Sequence, residues 1–209
     1  EMRKVPRGDP GVKRTQFSVT LREDGSAHCE ARLSFSGRRG EFRKYFSDPS
    51  RRDDGALRYA GALVPSIDLA SYRAEAIDDP SRPFVLEFNG ESFAFAAPGK
   101  ERMSLQPVIA KSLVYDYVRY EKRTKPLYLA EALREDDRYE YRFPDGYLWG
   151  EPDREARIDS RFGKAVVSLK RGKDPNTLVV EKTITIEPGV IAPSEYADFV
   201  DFCVKLKEA

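Results

Sequence analysis

The strongest constraint in this chain is a two-residue rhythm that is interrupted once. Phe17, Val19 and Leu21 alternate with Ser18, Thr20 and Arg22, and Ala27, Cys29, Ala31, Leu33 and Phe35 then alternate with His28, Glu30, Arg32 and Ser34. Only a pleated strand puts every second side chain on one face, so the two runs form a hairpin with one apolar side. The turn fixes the register. A two-residue Asp24-Gly25 loop would set Leu21 against His28. A three-residue loop, Glu23-Asp24-Gly25 with Gly25 left-handed, sets Leu21 against Ala27 and Val19 against Cys29. The bulged turn is therefore expected.

Past Gly40 the period changes. Phe42, Tyr45 and Phe46 stand at helical spacing, and Asp48-Pro49 offers an N-cap followed by proline at the first helical position. This predicts a helix near residues 49–63, ended by Pro65, with Ala56, Leu57, Ala60, Leu63 and Val64 inward. Strand signals return from Ile67 to Ala76. Phe84, Leu86 and Phe88 then run into Asn89-Gly90, a dipeptide expected to turn a second hairpin with Phe93 and Phe95 on the return.

Between Arg123 and Trp149, Pro126 and Leu127 open a short extended run. Tyr139, Tyr141 and Phe143 alternate with Glu140 and Arg142, and Pro144-Asp145-Gly146 closes that strand. Further strands are expected near 157–170 and 177–187, joined by Gly172 to Asn176. In the second of these, Leu178, Val180, Ile184 and Ile186 form an inner set that Lys182 interrupts. The chain closes with a helix near 193–207, where Tyr196, Phe199, Val200, Cys203 and Val204 make one apolar stripe suited to docking on a sheet.

The fold class is thus α+β, predominantly antiparallel β-sheet or sandwich, with one internal and one C-terminal helix. With 209 residues there is material for one large β domain or two small ones. The expected division is a flexible N-terminal segment (1–13), an α+β domain (14–120) and a β-sandwich-like domain closed by the C-terminal helix (121–209). The polar opening, rich in Pro and Gly, suggests a piece cut from a longer polypeptide.

Charge and chemistry narrow the function. Lys and Arg number 36 against 35 Asp and Glu, interleaved along the chain, which gives no reason to expect nucleic acid. No run approaches the roughly 18 to 20 apolar residues of a membrane helix. The sole histidine, His28, adjoins Cys29, but neighbours on a strand point to opposite faces and cannot act on each other. Cys29 and Cys203 fall on apolar positions and read as buried free thiols. The carboxylate pairs Asp53-Asp54, Asp78-Asp79 and Asp136-Asp137 read as caps or solvated groups. No metal or cofactor constellation is present, and no catalytic residue is expected. Aromatic residues gather in the middle of the chain. Most suit a core, but Tyr115, Tyr117, Tyr120, Tyr147 and Trp149, with Arg123, form a candidate interaction surface for another domain, a peptide or a saccharide.

The hairpin from Val19 to Phe46, the Lys125-Pro126-Leu127 step, the Phe143-Pro144-Asp145-Gly146-Tyr147 run, Arg161-Phe162-Gly163, and Ile191 to Tyr196 leading to Phe199 and Phe202 resemble the region that follows the catalytic core in bacterial transglutaminase-like multidomain proteins. The resemblance implies a non-catalytic accessory domain, since no position matches that family's Cys-His-Asp core. It also implies an adjacent transglutaminase-like domain as partner, and a periplasmic or cell-surface setting. A ligand-binding β module for a saccharide, cell-wall fragment or lipid is the alternative.

Overall fold

The alternating runs form β1 (Gly11–Leu21) and β2 (Ala27–Phe35), paired antiparallel with Leu21 opposite Ala27 and Val19 opposite Cys29. The coordinates are a computed structural model describing residues 11–64, 66–99, 102–105, 118, 120–129 and 132–208. The Arg22 amide donates to the Ser26 carbonyl at 2.9 Å and the Gly25 amide to the Arg22 carbonyl at 3.0 Å, with Gly25 at φ 82°. This is the expected three-residue bulged turn. A side chain at Gly25 is also excluded by space, because a Cβ would lie 2.2 Å from the Ala96 carbonyl oxygen. Residues 11–13, expected in the leading segment, are already part of β1.

The second hairpin joins β3 (Ile67–Glu75) to β4 (Phe84–Ser92), and it turns before Phe84, not at Asn89-Gly90. That expectation is corrected by the packing on both sides of β4, which lies between β2 and β3 with Gly90 opposite Cys29 and Leu69. The β3 register shifts between Leu69 and Ser71, and a Cβ on Gly90 would sit 2.4 Å from the Asp68 carbonyl oxygen. Glycine is there to let two backbones approach at a bulge, not to reverse the chain.

A 3-10 turn at Pro49–Arg51 leads into α1 (Arg52–Leu63), and Asp48 caps it by accepting from the Ser50 amide at 3.0 Å. Ala56, Ala60, Leu63 and Val64 are buried as expected. Leu57 is not: it is 50% exposed. Small residues bring the helix close to its neighbours, with a Cβ on Gly55 only 3.1 Å from the Tyr45 carbonyl oxygen, and that close contact is centred away from Leu57. The 3-10 segment Gly37–Tyr45 carries Phe42 to Phe35 and Tyr59, and Phe46 stacks on Tyr59 and meets Phe84 at a tilt.

The remaining strands are β5 (Leu127–Leu129), β6 (Leu133–Arg142), β7 (Arg154–Ser160), β8 (Gly163–Arg171), β9 (Thr177–Ile186) and β10 (Gly189–Ile191). One eight-stranded sheet runs β3-β4-β2-β1-β6-β9-β8-β7, with β5 and β10 forming a separate two-stranded ribbon. The strands expected for a second unit over 121–209 continue the sheet of the first. All its pairings are antiparallel except β1 with β6. The molecule is therefore an α+β fold on a mostly antiparallel sheet, as the alternation implied.

Helix α2 (Tyr196–Glu208) follows a 3-10 turn at Pro193–Glu195, where the Glu195 carboxylate accepts from the Ala192 amide at 3.0 Å. Its buried stripe is Tyr196, Phe199, Phe202, Cys203 and Leu206, while Val200 packs only at the margin. The stripe is rotated from the expected one because Phe162 engages both Phe199 and Phe202, at ring separations of 5.4 and 6.3 Å. Two apolar clusters result. One gathers β1, β2, β4, α1, Tyr139 and Tyr141 of β6 and the following Phe143, and the other lies under α2 with Leu133, Ala165, Ile184 and Ile186. No helix among the described residues is long and apolar enough to cross a membrane.

Candidate functional site

The aromatic surface expected from the sequence does not come together as one patch. Tyr115 and Tyr117 lie outside the described residues. Tyr147 and Trp149 pack on the first apolar cluster, where Trp149 stacks on Phe143 at 6.3 Å. Tyr120 and Arg123 sit by the second cluster. The Arg123 guanidinium lies 5.6 Å from the ring centres of both Tyr120 and Tyr196, and the Tyr196 hydroxyl donates to the Tyr120 carbonyl at 2.9 Å. Tyr120 is itself 62% exposed. On the β5–β10 ribbon, Tyr128 and Val190 face each other across the strands and both remain exposed.

The outer face of the sheet is polar and laced with ion pairs. Arg138 bridges Glu140 and Glu181, Arg32 meets Glu87, and Arg22 donates to Glu91 at 2.7 Å. His28 belongs to this face, with Nδ1 2.9 Å from Glu91 Oε1. These two partners, Arg22 first and His28 second, pull the Glu91 carboxyl down to about 2. A shallow open groove of about 400 Å³ crosses the same face, lined among others by Gln16, Ser18, Glu30, Arg32, Ser71 and Asn89. Cys29 points the opposite way into the first cluster, and Cys203 lies in the second. Both are free thiols that burial pushes up to about 12.

Between the two clusters the inner face is not apolar. Strand register puts Lys13 of β1 beside Glu135 of β6, and Thr15 beside Asp137, with Lys182 of β9 directly opposite Asp137. Lys182 Nζ lies 3.0 Å from Asp137 Oδ2 and 3.8 Å from Glu135 Oε2. Lys13 Nζ lies 3.8 Å from Asp137 Oδ1 and 3.9 Å from Glu135 Oε2. The side chains of Asp137 and Lys182 are 0% and 2% exposed. Two cations and two anions thus form a balanced tetrad set between the two apolar clusters, where mutual pairing offsets the cost of burying charge. Neither Asp137 oxygen accepts a hydrogen bond among the described residues, and neither does the buried Thr15 hydroxyl have one.

This corrects the reading of Asp136-Asp137 as a solvated pair. The two are consecutive in mid-strand, so Asp136 turns out towards Arg134 and Asp137 turns in. A signal was present: Glu135 and Asp137 are in phase with Leu133, Tyr139 and Tyr141, and Lys182 is in phase with the inner residues of its own strand. Among the described residues, no group of His, Cys, Asp and Glu is arranged to hold a metal ion.

Comparison with known proteins bears on the half of the chain that supplies most of this tetrad. The model of DUF3858, described as a domain of unknown function with a solved structure, matches residues 101–209, just over half of the sequence. The chain belongs to the DUF3858 family. The matched DUF3858 segment contains β5 to β10 and α2, and so contributes Glu135, Asp137 and Lys182, while Lys13 and Thr15 come from upstream of it. No curated protein matches the chain. The crystal structure of a candidate protease from Parabacteroides distasonis aligns with 43% of the chain at 24% identity, with a TM-score of 0.38. The alignment spans only 17% of that protein, and at this score the likeness carries no argument.

Proposed function

We propose that this DUF3858 chain is a non-catalytic accessory domain of a transglutaminase-like bacterial protein, which positions or shields the adjacent transglutaminase-like domain in a periplasmic or cell-surface setting. The partner and the setting rest on the resemblance of its motifs to the region after that family's core. The observation that carries the reading is how the chain distributes its reactive and adhesive side chains. Both thiols are sealed in separate clusters and the imidazole faces away from Cys29, so neither thiol has the imidazole as its base. Apolar surface is left to water instead at Tyr120, Tyr128 and Val190, where docking would cover it.

Binding of the chain to the separately purified transglutaminase-like domain tests this. Replacing Tyr128 and Val190 together by lysine should weaken binding at least tenfold while leaving the circular dichroism unchanged. A purified chain that alone hydrolyses or cross-links a substrate, and loses the activity on replacement of one polar residue, would overturn it. The outer-face groove favours a second reading, a module for a saccharide, peptide, cell-wall fragment or lipid. In that case affinity would follow Arg32 and Asn89 and ignore the ribbon.

A further inference from the structure

We propose that the side chains of Lys182 and Asp137 condense in the folded chain to an amide, an isopeptide cross-link between β9 and β6. Nucleophile and electrophile face each other as register partners, with Nζ 3.0 Å from Oδ2. That ion pair holds the amine against the carboxyl group whose carbon it must attack, and reactants fixed in this way gain over free ones. Phe17, Tyr139 and Val180 on one side and Ile184 and Ala165 on the other keep the pair dry. Dryness also disfavours hydrolysis of the product, because water is a reactant in the reverse step.

The neighbours supply the remaining chemistry. Transfer of one proton from Lys182 to Asp137 gives a neutral amine and a neutral acid without altering net charge, and an apolar surround makes that transfer cheaper than it is in water. The amine nitrogen then forms a bond to Asp137 Cγ. Glu135, with Oε2 3.8 Å from Nζ, takes one N–H proton and passes it to the Oδ2 hydroxyl. The Cγ–Oδ2 bond breaks and water leaves. Lys13 lies 3.8 Å from Oδ1, facing the oxygen on which negative charge gathers in the tetrahedral intermediate. One N–C bond is made, one C–O bond is broken, one water is released, and no oxidant, reductant or cofactor is consumed.

The geometry favours Lys182 over Lys13 as nucleophile. Lys13 stays beyond 3.5 Å from either carboxylate and its side chain is 15% exposed, against 2% for Lys182. The Asp137 carboxylate accepts no hydrogen bond among the described residues, and the amide removes its charge together with its partner's.

Intact-mass spectrometry of the purified chain, shown to be folded by near-ultraviolet circular dichroism, tests the proposal. The mass should fall below that of the sequence by one water. Digestion should release a branched peptide joining the Asp137 and Lys182 segments, which distinguishes the cross-link from water lost by cyclisation of Glu1. Lys182→Arg keeps the charge but removes the primary amine and should restore the full mass. Glu135→Gln keeps both reacting groups and should leave at least tenfold less cross-linked product after equal time. A folded wild-type chain at full mass overturns the proposal. So does a branch at Lys13, or a water loss that persists in Lys182→Arg.

Discussion

Cys29 and Cys203 are both fully buried, and desolvation raises their thiols to about 12. At about pH 8 each is therefore almost wholly protonated and shielded, so an aromatic disulfide reagent should modify the native chain on the order of a hundredfold more slowly than the urea-unfolded chain. Equal rates would show that the clusters open readily. Glu91 behaves in the opposite sense. Its carboxyl is lowered from 4.5 to about 2 by Arg22 and then His28, so its contribution is in place above about 4.5 and is lost as the pH falls towards about 2. Glu91→Gln should flatten the decline of the urea midpoint across that window, and an unchanged decline would assign acid sensitivity to other groups. At this scale the sequence was partly legible. Lys182 stood out as the break in an apolar set, but Glu135 and Asp137 did not, because charged residues at alternating positions are ordinarily assigned to water. Their phase with Leu133, Tyr139 and Tyr141 was the signal for their inward turn, and the register then sets Asp137 beside Lys182.

Helix α2 is held by its aromatic stripe more than by its own propensity. Phe199 is 0% exposed and meets Phe162 edge-on at 5.4 Å. Phe199→Ala should cost about 3 to 5 kcal/mol, read as a lower urea midpoint, and an unmoved midpoint would refute the docking of this helix. In β4, Gly90→Ala would press a methyl group against the Asp68 carbonyl oxygen at the β3 bulge. A loss of about 1 to 3 kcal/mol is expected, and a neutral result would show that β3 shifts freely. The two elements were not equally legible. The β1–β2 register followed from local alternation and one turn. The role of Asn89-Gly90 did not, because the dipeptide's preference for hairpins is local, while its place is decided by strands on either side of it. Likewise, helical spacing located α1 and α2, but which of several adjacent apolar residues faces inward depended on what each helix meets: Leu57 of the expected set faces water, and Val200 yielded to Phe202.

The whole molecule turns on the seam where β1 lies parallel to β6. The ten residues from Gly11 to Thr20 pair there with Leu133 to Arg142, and the first apolar cluster draws on both sides of it. Unfolding should accordingly be a single event. Trp149, the sole tryptophan, packs on the first cluster, so its fluorescence reports that region while far-ultraviolet circular dichroism reports the entire sheet. The two urea curves should coincide; separate midpoints would mean that the segments on either side of residue 120 unfold independently. The seam could not be read from the sequence, because alternation specifies which face a strand buries but says nothing about a neighbour so far along the chain.

During synthesis, that seam imposes a wait. Thr15 leaves the ribosome roughly 120 residues ahead of Asp137, which at about 5 to 20 residues per second leaves β1 without its second neighbour for on the order of ten seconds. Throughout that interval the nascent hairpin presents an open row of amides and carbonyls to any other chain nearby. A pause in translation between β4 and β6 would prolong the period in which this polypeptide is most easily captured by a stranger.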